Sequence, residues 1–317
     1  MTVVAAVDCG TNSIRLLIAR AVDGEHGPLA EIHREMRIVR LGQGVDATGR
    51  FADEAIERTR AALADYVDMM VDAGAERVRM VATSATRDAS NRDEFFDMTA
   101  TLLGKVVAGA VAEVITGDEE ARLSFRGAVG ELDAAAGPFV VTDLGGGSTE
   151  VVVGDATGVS AAYSADVGCV RVTERALPSD PPTDAEIADA QEFIRGRLAQ
   201  AFAAVPVAGA RTWVGVAGTL TTLSALAAGL DEYRSEVIHL SRISHTDLDD
   251  IGWRLVRMTR AERAALGPMH PGRVDVIGGG SLVAMELARE FAERAGITEL
   301  VVSEHDILDG IALGLLD

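Results

Sequence analysis

Sliding the sequence by 135 positions lays Asp143-Leu-Gly-Gly-Gly-Ser-Thr-Glu-Val-Val-Val on Asp8-Cys-Gly-Thr-Asn-Ser-Ile-Arg-Leu-Leu-Ile, so that Asp, Gly and Ser coincide. Apolar runs flank both copies: Val3 to Val7 and Pro138 to Thr142 enter, Leu16 to Ile18 and Val151 to Val153 leave. A strand, a turn rich in Gly, Ser, Thr and Asn, and a second strand make a β-hairpin. No other feature limits the fold as tightly, because two such hairpins imply two related lobes. The length of 317 residues agrees, being long for one core and comfortable for two.

A turn of this composition gathers backbone N–H groups and hydroxyls in one concavity, which can hold phosphate oxygens without a large positive charge. Glycines let the backbone come close to the ligand. The copies part at the seventh residue after the Asp, where the first has Arg15 and the second Glu150. These are expected at equivalent places on facing lobes, one suited to an anion and the other to a cation or water. Walls so unlike suggest a metal–phosphate ligand.

The remaining chain reads as α/β. Asp53 to Gly74 is an amphipathic helix with Asp53 as its N-cap and Gly74 as its stop. Arg77 to Ala82 is a strand, Asn91-x-x-Glu94 opens a helix up to Gly104, and Val111 to Ile115 is a short strand. With Thr116 as an N-cap, Glu119 is the reciprocal capping residue, and Glu120 is left either for chemistry or, with Asp118 and Glu119, to complement the helix dipole; spacing alone does not choose. From residue 121 the chain is expected to cross into the second lobe. There, Thr183-x-x-Glu186 starts a long helix, and Trp213 to Leu223 is a strand, glycine turn and helix N-terminus where an anion can dock. Arg273 to Ser281 reads as a repeat of that strand, turn and helix plan. Glu299 to Ser303 is the last strand, and a helix to Leu316 is expected to fold back on the first lobe.

A formal charge of -20 counts against a general grip on nucleic acid or anionic membranes, which relies on basic patches. The two cysteines, Cys9 and Cys169, read as small buried residues in a reducing compartment. None of the six histidines stands in an HxH, HExxH or HxxxH spacing. The opening MTVVAAVDCG lacks the pattern of a leader, and no window is apolar enough to span a membrane. The expectation is a soluble cytoplasmic protein with neither a nucleic-acid nor a membrane partner; self-association as a homodimer stays open.

Taken in order, DCGTNSIRLLIA, ATSATRDASN, EVITGDEEARLSF, DLGGGSTEVVVG, VGVAGTLTTL and RVDVIGGG resemble the exopolyphosphatase and pppGpp phosphohydrolase family, within the actin, Hsp70 and sugar-kinase superfamily. The resemblance spans nearly the whole chain. It implies two ribonuclease-H-like, actin-like ATPase domains with an interdomain crevice, at residues 1–120 and 121–305, with a terminal helix at 306–317. It further implies Mg2+ dependence and hydrolysis of a terminal phosphoanhydride. By matching motif positions, Glu120 is the general base with Arg87 as a catalytic cation. Asp143 and Glu150 place Mg2+ and the attacking water, and Asp8 joins the metal set. Thr11, Asn12, Ser13, Gly145, Gly146, Gly147, Ser148 and Thr149 would cradle phosphate, with Arg15 and Arg273 as cationic contacts. The chain departs from the family where Ile307-Leu-Asp-Gly310 replaces a frequent Arg-Glu-Gly, and in having no further C-terminal domains, which favours shorter polyphosphate.

Phosphoryl transfer to water needs alignment and charge neutralisation more than covalent work by the protein. A carboxylate is a weak base, so Glu120 would act through orientation. The substrate is expected to be polyphosphate or a guanosine polyphosphate, with exopolyphosphatase activity first and pppGpp hydrolysis as its alternative. An ATP-dependent small-molecule kinase and a non-catalytic ppGpp-binding protein are the more distant rivals.

Overall fold

A computed structural model describes residues 2–22 and 29–317, so His26 lies outside the described residues. The chain divides into two compact units, Met1–Glu131 with Ile307–Asp317, and Leu132–Asp306. The boundary expected after residue 120 falls inside the helix Gly117–Val129. A helix ties each residue to the one four before it, so the chain parts at the loop that follows.

The first unit is built on β1 (Val3–Cys9), β2 (Ser13–Ala21), β3 (Leu29–Ile38), β4 (Arg77–Ala82) and β5 (Glu113–Val114), in the order β3-β2-β1-β4-β5. Strands β1 to β3 are antiparallel neighbours, and β4 and β5 continue parallel to β1. The second unit has β6 (Phe139–Leu144), β7 (Thr149–Asp155), β8 (Gly158–Ala165), β9 (Thr212–Val216), β10 (Ser241–Ser244) and β11 (Glu299–Val302), in the order β10-β11-β9-β6-β7-β8. Here too a three-stranded antiparallel meander leads into strands parallel to its first member, β9 and β11, with β10 added antiparallel at the edge. Each unit thus has the ribonuclease-H-like sheet, and the duplication seen in the two turns extends to the topology.

Central strands of such a sheet are covered on both faces, so they read as continuous apolar runs. On β1, Val3, Ala5, Val7 and Cys9 join one core with Leu63, Tyr66, Val67 and Met70 of the helix Asp53–Asp72. Val4 and Ala6 join the opposite core with Ile307, Leu308 and Ile311 of the helix Ile307–Gly314. By strand alternation Asp8 falls on this second face. Arg34 of β3 donates to both carboxylate oxygens of Asp309, at 3.2 and 2.6 Å, and this holds the terminal helix against its sheet.

Several local expectations are revised. Asp53 is the first helical residue rather than the cap, which is Ala52. Asn91 does not cap its helix, because its amide is bound to the backbone N and O of Phe51. Most important, Arg273 to Ser281 contains no strand: a 3-10 turn, Pro271–Arg273, leads into the helix Ile277–Ala295. The three glycines serve helix packing, since a Cβ at Gly279 would stand 2.5 Å from Thr173 Oγ1 and one at Gly280 would stand 2.7 Å from Thr219. Among the described residues, no helix is long and apolar enough to cross a membrane.

Close packing predicts one sharp stability effect. A Cβ at Gly310 would lie 2.1 Å from the Leu123 carbonyl oxygen, a backbone atom that cannot yield, whereas one at Gly314 meets nothing within 4 Å. Gly310→Ala should lower the melting temperature by on the order of 5 °C, with Gly314→Ala as the neutral control. A second effect concerns pH. Trp213 packs on His245, whose ring centroid is 5.6 Å away, and the buried His245 Nε2 has no hydrogen-bond partner among the described residues. Burial holds this histidine below its usual pKa, so the folded state keeps it neutral. The unfolded chain takes up the proton first, and stability present above about pH 6.5 is lost as pH falls below it. His245→Phe, which keeps an aromatic ring against Trp213, should flatten the decline in melting temperature between about pH 7.5 and 5.5.

Candidate active site

In the first unit the β1–β2 turn closes with the Gly10 N–H donating to Ser13 O at 2.9 Å. The ladder sets Asp8 directly across from Arg15. Arg15 donates to Asp8 Oδ2 from Nε at 3.0 Å and from Nη2 at 2.7 Å. The residues expected to serve as a metal ligand and a phosphate contact are therefore bound to each other. The turn's carbonyls are occupied as well: Gly42 N donates to Thr11 O at 2.8 Å, and Val39 N and Arg40 N both donate to Asn12 O, at 3.0 and 2.8 Å. Arg40 sits there at φ 52°, a left-handed conformation uncommon for a residue with a Cβ. A Cβ at Gly42 would stand 2.3 Å from Thr11 Cγ2, so this segment rests directly on the turn.

The carboxyl ends of the parallel strands carry the second cluster, as is usual for ligand sites in such sheets. Thr83 N donates to Cys9 O at 3.2 Å, which places the helix Ser84–Asp88 at the ends of β1 and β4. From that helix Arg87 Nη1 donates to Ile115 O at 3.1 Å and to Glu120 Oε2 at 2.8 Å. Thr116 caps the helix Gly117–Val129 by accepting from Glu119 N at 3.2 Å. The Glu119 carboxylate, expected to reach back to that cap, instead accepts from Arg79 at 2.6 Å. Glu120 is not free either: a carboxylate only 7% exposed calls for a partner, and Arg87 is that partner.

In the second unit the ladder sets Asp143 directly across from Glu150. Both are buried, at 6% and 0% exposed, and Ser164 Oγ donates to Glu150 Oε1 at 2.6 Å. The glycine turn is backed by the helix Cys169–Ala176. Cys169 N donates to Gly145 O at 3.0 Å, and Val170 N and Arg171 N donate to Gly146 O at 2.9 and 3.1 Å. Arg171 Nε completes the set on Gly147 O at 2.8 Å. Gly168 permits this contact, since a Cβ there would lie 2.5 Å from the Gly146 backbone. Thr149, expected in the cradle, donates its hydroxyl to Val167 O at 2.5 Å. Burial pushes the Cys169 thiol up to about 11, so it is no thiolate at neutral pH.

Arg273 lies against the N-terminus of the helix Gly218–Ala227. Its Nη1 donates to Thr222 Oγ1 at 3.2 Å, and a Cβ at Gly218 would stand 2.3 Å from its Nη2. The preceding Ala217 has φ 71°, so the bend before this helix carries backbone strain. Sequence reasoning missed Arg171, Ser164 and the Val39–Gly42 segment. It also missed the stack of His239 on His305, at 4.5 Å between centroids, which spacing rules do not detect.

Removing one partner of the Asp8–Arg15 pair leaves a buried charge in place. Arg15→Met should cost on the order of 3 kcal/mol of stability, and adding Asp8→Asn should recover much of it, as read by denaturant unfolding of the single and double variants.

Comparison with known proteins agrees with the topology. The model of the Ppx/GppA phosphatase family matches residues 17–314. The chain is 64% identical over 316 residues to Exopolyphosphatase 2 of Mycobacterium tuberculosis (strain H37Rv), covering 99% of each. A solved exopolyphosphatase-like protein superposes with a TM-score of 0.93 at 44% identity, covering 99% of this chain and 97% of that one. The Aquifex aeolicus member of the family superposes with a TM-score of 0.78 at 31% identity, over 99% and 97% of the two chains. With sheet topology, both turn motifs and full-length similarity in agreement, this chain belongs to the Ppx/GppA phosphatase family.

Proposed function

We propose that the protein is an exopolyphosphatase that hydrolyses the terminal phosphoanhydride of inorganic polyphosphate and releases orthophosphate, with Mg2+ as its cation. One observation carries the reading. At the position where the first hairpin sets an arginine across from aspartate, the second sets Glu150 across from Asp143. Like charges directly opposite on neighbouring strands repel, and burial sharpens the repulsion. Such a pair suits a hard divalent cation with oxygen ligands. The donor set fits: two carboxylates, one of them steadied by the Ser164 hydroxyl. When bound, the cation neutralises phosphate charge and polarises water. The similarity to an exopolyphosphatase over the full length supports the same reading.

The chain's own groups then divide the work. Glu120, oriented by Arg87, accepts the proton of the attacking water. The N–H groups and Ser148 hydroxyl of the glycine turn hold phosphate oxygens, and Arg273 offers a cation at the start of the helix Gly218–Ala227. In the first unit, Arg15 binds Asp8 at 2.7 Å, so in this reading the Asp8 carboxylate orients Arg15 and the cation is held chiefly by Asp143 and Glu150. The reading places the enzyme in the cytoplasm, acting on a free polyanion.

The test is phosphate release from tripolyphosphate, long polyphosphate, pppGpp and ATP at matched Mg2+. Glu120→Gln, which keeps a hydrogen-bond acceptor for Arg87, should lower kcat at least about 100-fold in protein shown to be folded by its melting curve, the scale of a lost general base. Glu150→Gln should raise the Mg2+ concentration needed for half-maximal activity. A folded Glu120→Gln protein that turns over near the wild-type rate would sink the proposal, and release from pppGpp alone would move the substrate to the nucleotide.

A further inference from the structure

We propose that Arg171 is the positioning residue of the β6–β7 glycine turn, fixing the Gly147–Ser148 peptide so that the Ser148 N–H faces phosphate. This rests on the reading that the turn holds phosphate. Gly145 and Gly146 have their carbonyls bound by backbone N–H groups of the helix Cys169–Ala176, whereas the bond on Gly147 O comes from a side chain, Arg171 Nε at 2.8 Å. A trans peptide carries its C=O and its N–H on opposite sides. Pinning the Gly147 oxygen toward the helix therefore turns the next N–H, that of Ser148, the other way. Glycine places little restraint on the rotation of this peptide. Were it to turn over, a carbonyl oxygen would face the anion in place of a donor, and attraction would become repulsion.

The first unit shows why a side chain is needed here. Its last turn carbonyl, that of Asn12, is held by two backbone N–H groups, from Val39 and Arg40. In the second unit the backbone N–H of Arg171 is spent one residue earlier, on Gly146 O at 3.1 Å. The Arg171 guanidinium then supplies the donor for Gly147. Arginine suits this task because its N–H groups sit in a planar fork and keep their protons. A lysine would bring the charge on a flexible stem without that fixed direction.

The experiment compares Arg171→Ala and Arg171→Lys with the wild-type full chain, measuring kcat and KM for tripolyphosphate, the inhibition constant of inorganic phosphate, and the melting temperature. Arg171→Ala should raise both KM and the phosphate inhibition constant about tenfold, the worth of one hydrogen bond to an anion, with Arg171→Lys only partly better. Millimolar guanidinium should restore phosphate binding to Arg171→Ala, while ethylammonium or sodium chloride at equal ionic strength should not. Unchanged KM and inhibition constant, or rescue that is equal for all three salts, would overturn the positioning role. Ser148→Ala and Glu150→Gln are run alongside. If they too leave phosphate binding and turnover intact, the turn does not hold phosphate and the functional reading fails. If they impair it while the Arg171 variants do not, only the role of Arg171 falls. Should Arg171→Ala not fold, the comparison of lysine with wild type decides, full recovery by lysine counting against the proposal.

Discussion

One position, directly across the hairpin from an aspartate, decides what each turn can carry. In the first unit Arg15 stands there and closes the electrostatics locally, since two N–H donors meet one carboxylate oxygen at 3.0 and 2.7 Å. In the second, Glu150 stands there, and the same geometry gathers negative charge. The sheets around the two sites share the order and directions of five strands, the second adding β10 antiparallel at its edge. A single exchange of charge on a shared scaffold thus makes one turn self-contained and leaves the other suited to a cation. This is the usual logic of a duplicated fold, where the framework is shared and the chemistry sits in side chains placed on it.

Both turns depend on a segment behind them. A tight turn leaves carbonyls that must find donors once buried. Val39 to Gly42 supplies them in the first unit, and Cys169 to Arg171 in the second. In each case a glycine allows the close approach, a Cβ at Gly42 meeting the Thr11 side chain and one at Gly168 the Gly146 backbone. The second arrangement has an electrostatic consequence. The free N–H groups at a helix start carry the positive end of its dipole. Here they are spent on the carbonyls of the glycine turn, so the turn's peptides continue the helix dipole one layer outward. The positive end is then offered by the turn rather than by the helix.

Much of this was legible in the sequence. The paired motifs located β1, β2, β6 and β7, and capping signals found Thr116 and Thr183. Thr183 and Glu186 form the full reciprocal box, whereas Glu119 turns to Arg79 on a neighbouring strand, because a charged partner offers more than a backbone N–H. The Arg273 to Ser281 stretch looked like a strand because Val274, Val276 and Ile277 are apolar and β-branched, and tertiary packing overrode that preference. The pairing of Asp8 with Arg15 follows from register, yet each residue was assigned alone by motif. What the sequence hid entirely was the backing of the turns. Backbone hydrogen bonds carry no residue signature, so neither Val39 to Gly42 nor Cys169 to Arg171 stands out before the fold is known.

Under the proposed function, the Glu120–Arg87 pair is one way for an acidic chain to manage a polyanion. At a formal charge of -20 the long-range field opposes the substrate, but salt screens it within about 8 Å at physiological ionic strength. Positive charge must therefore be supplied at short range. Arg87 and Arg273 each rest on a fixed partner, Glu120 in one unit and the start of the helix Gly218–Ala227 in the other. A guanidinium anchored in this way gives up little conformational entropy when an anion arrives, and its remaining N–H groups keep their direction. The same contact that keeps Glu120 from being free also sets its orientation, which is the greater need for a weak base in the proposed role.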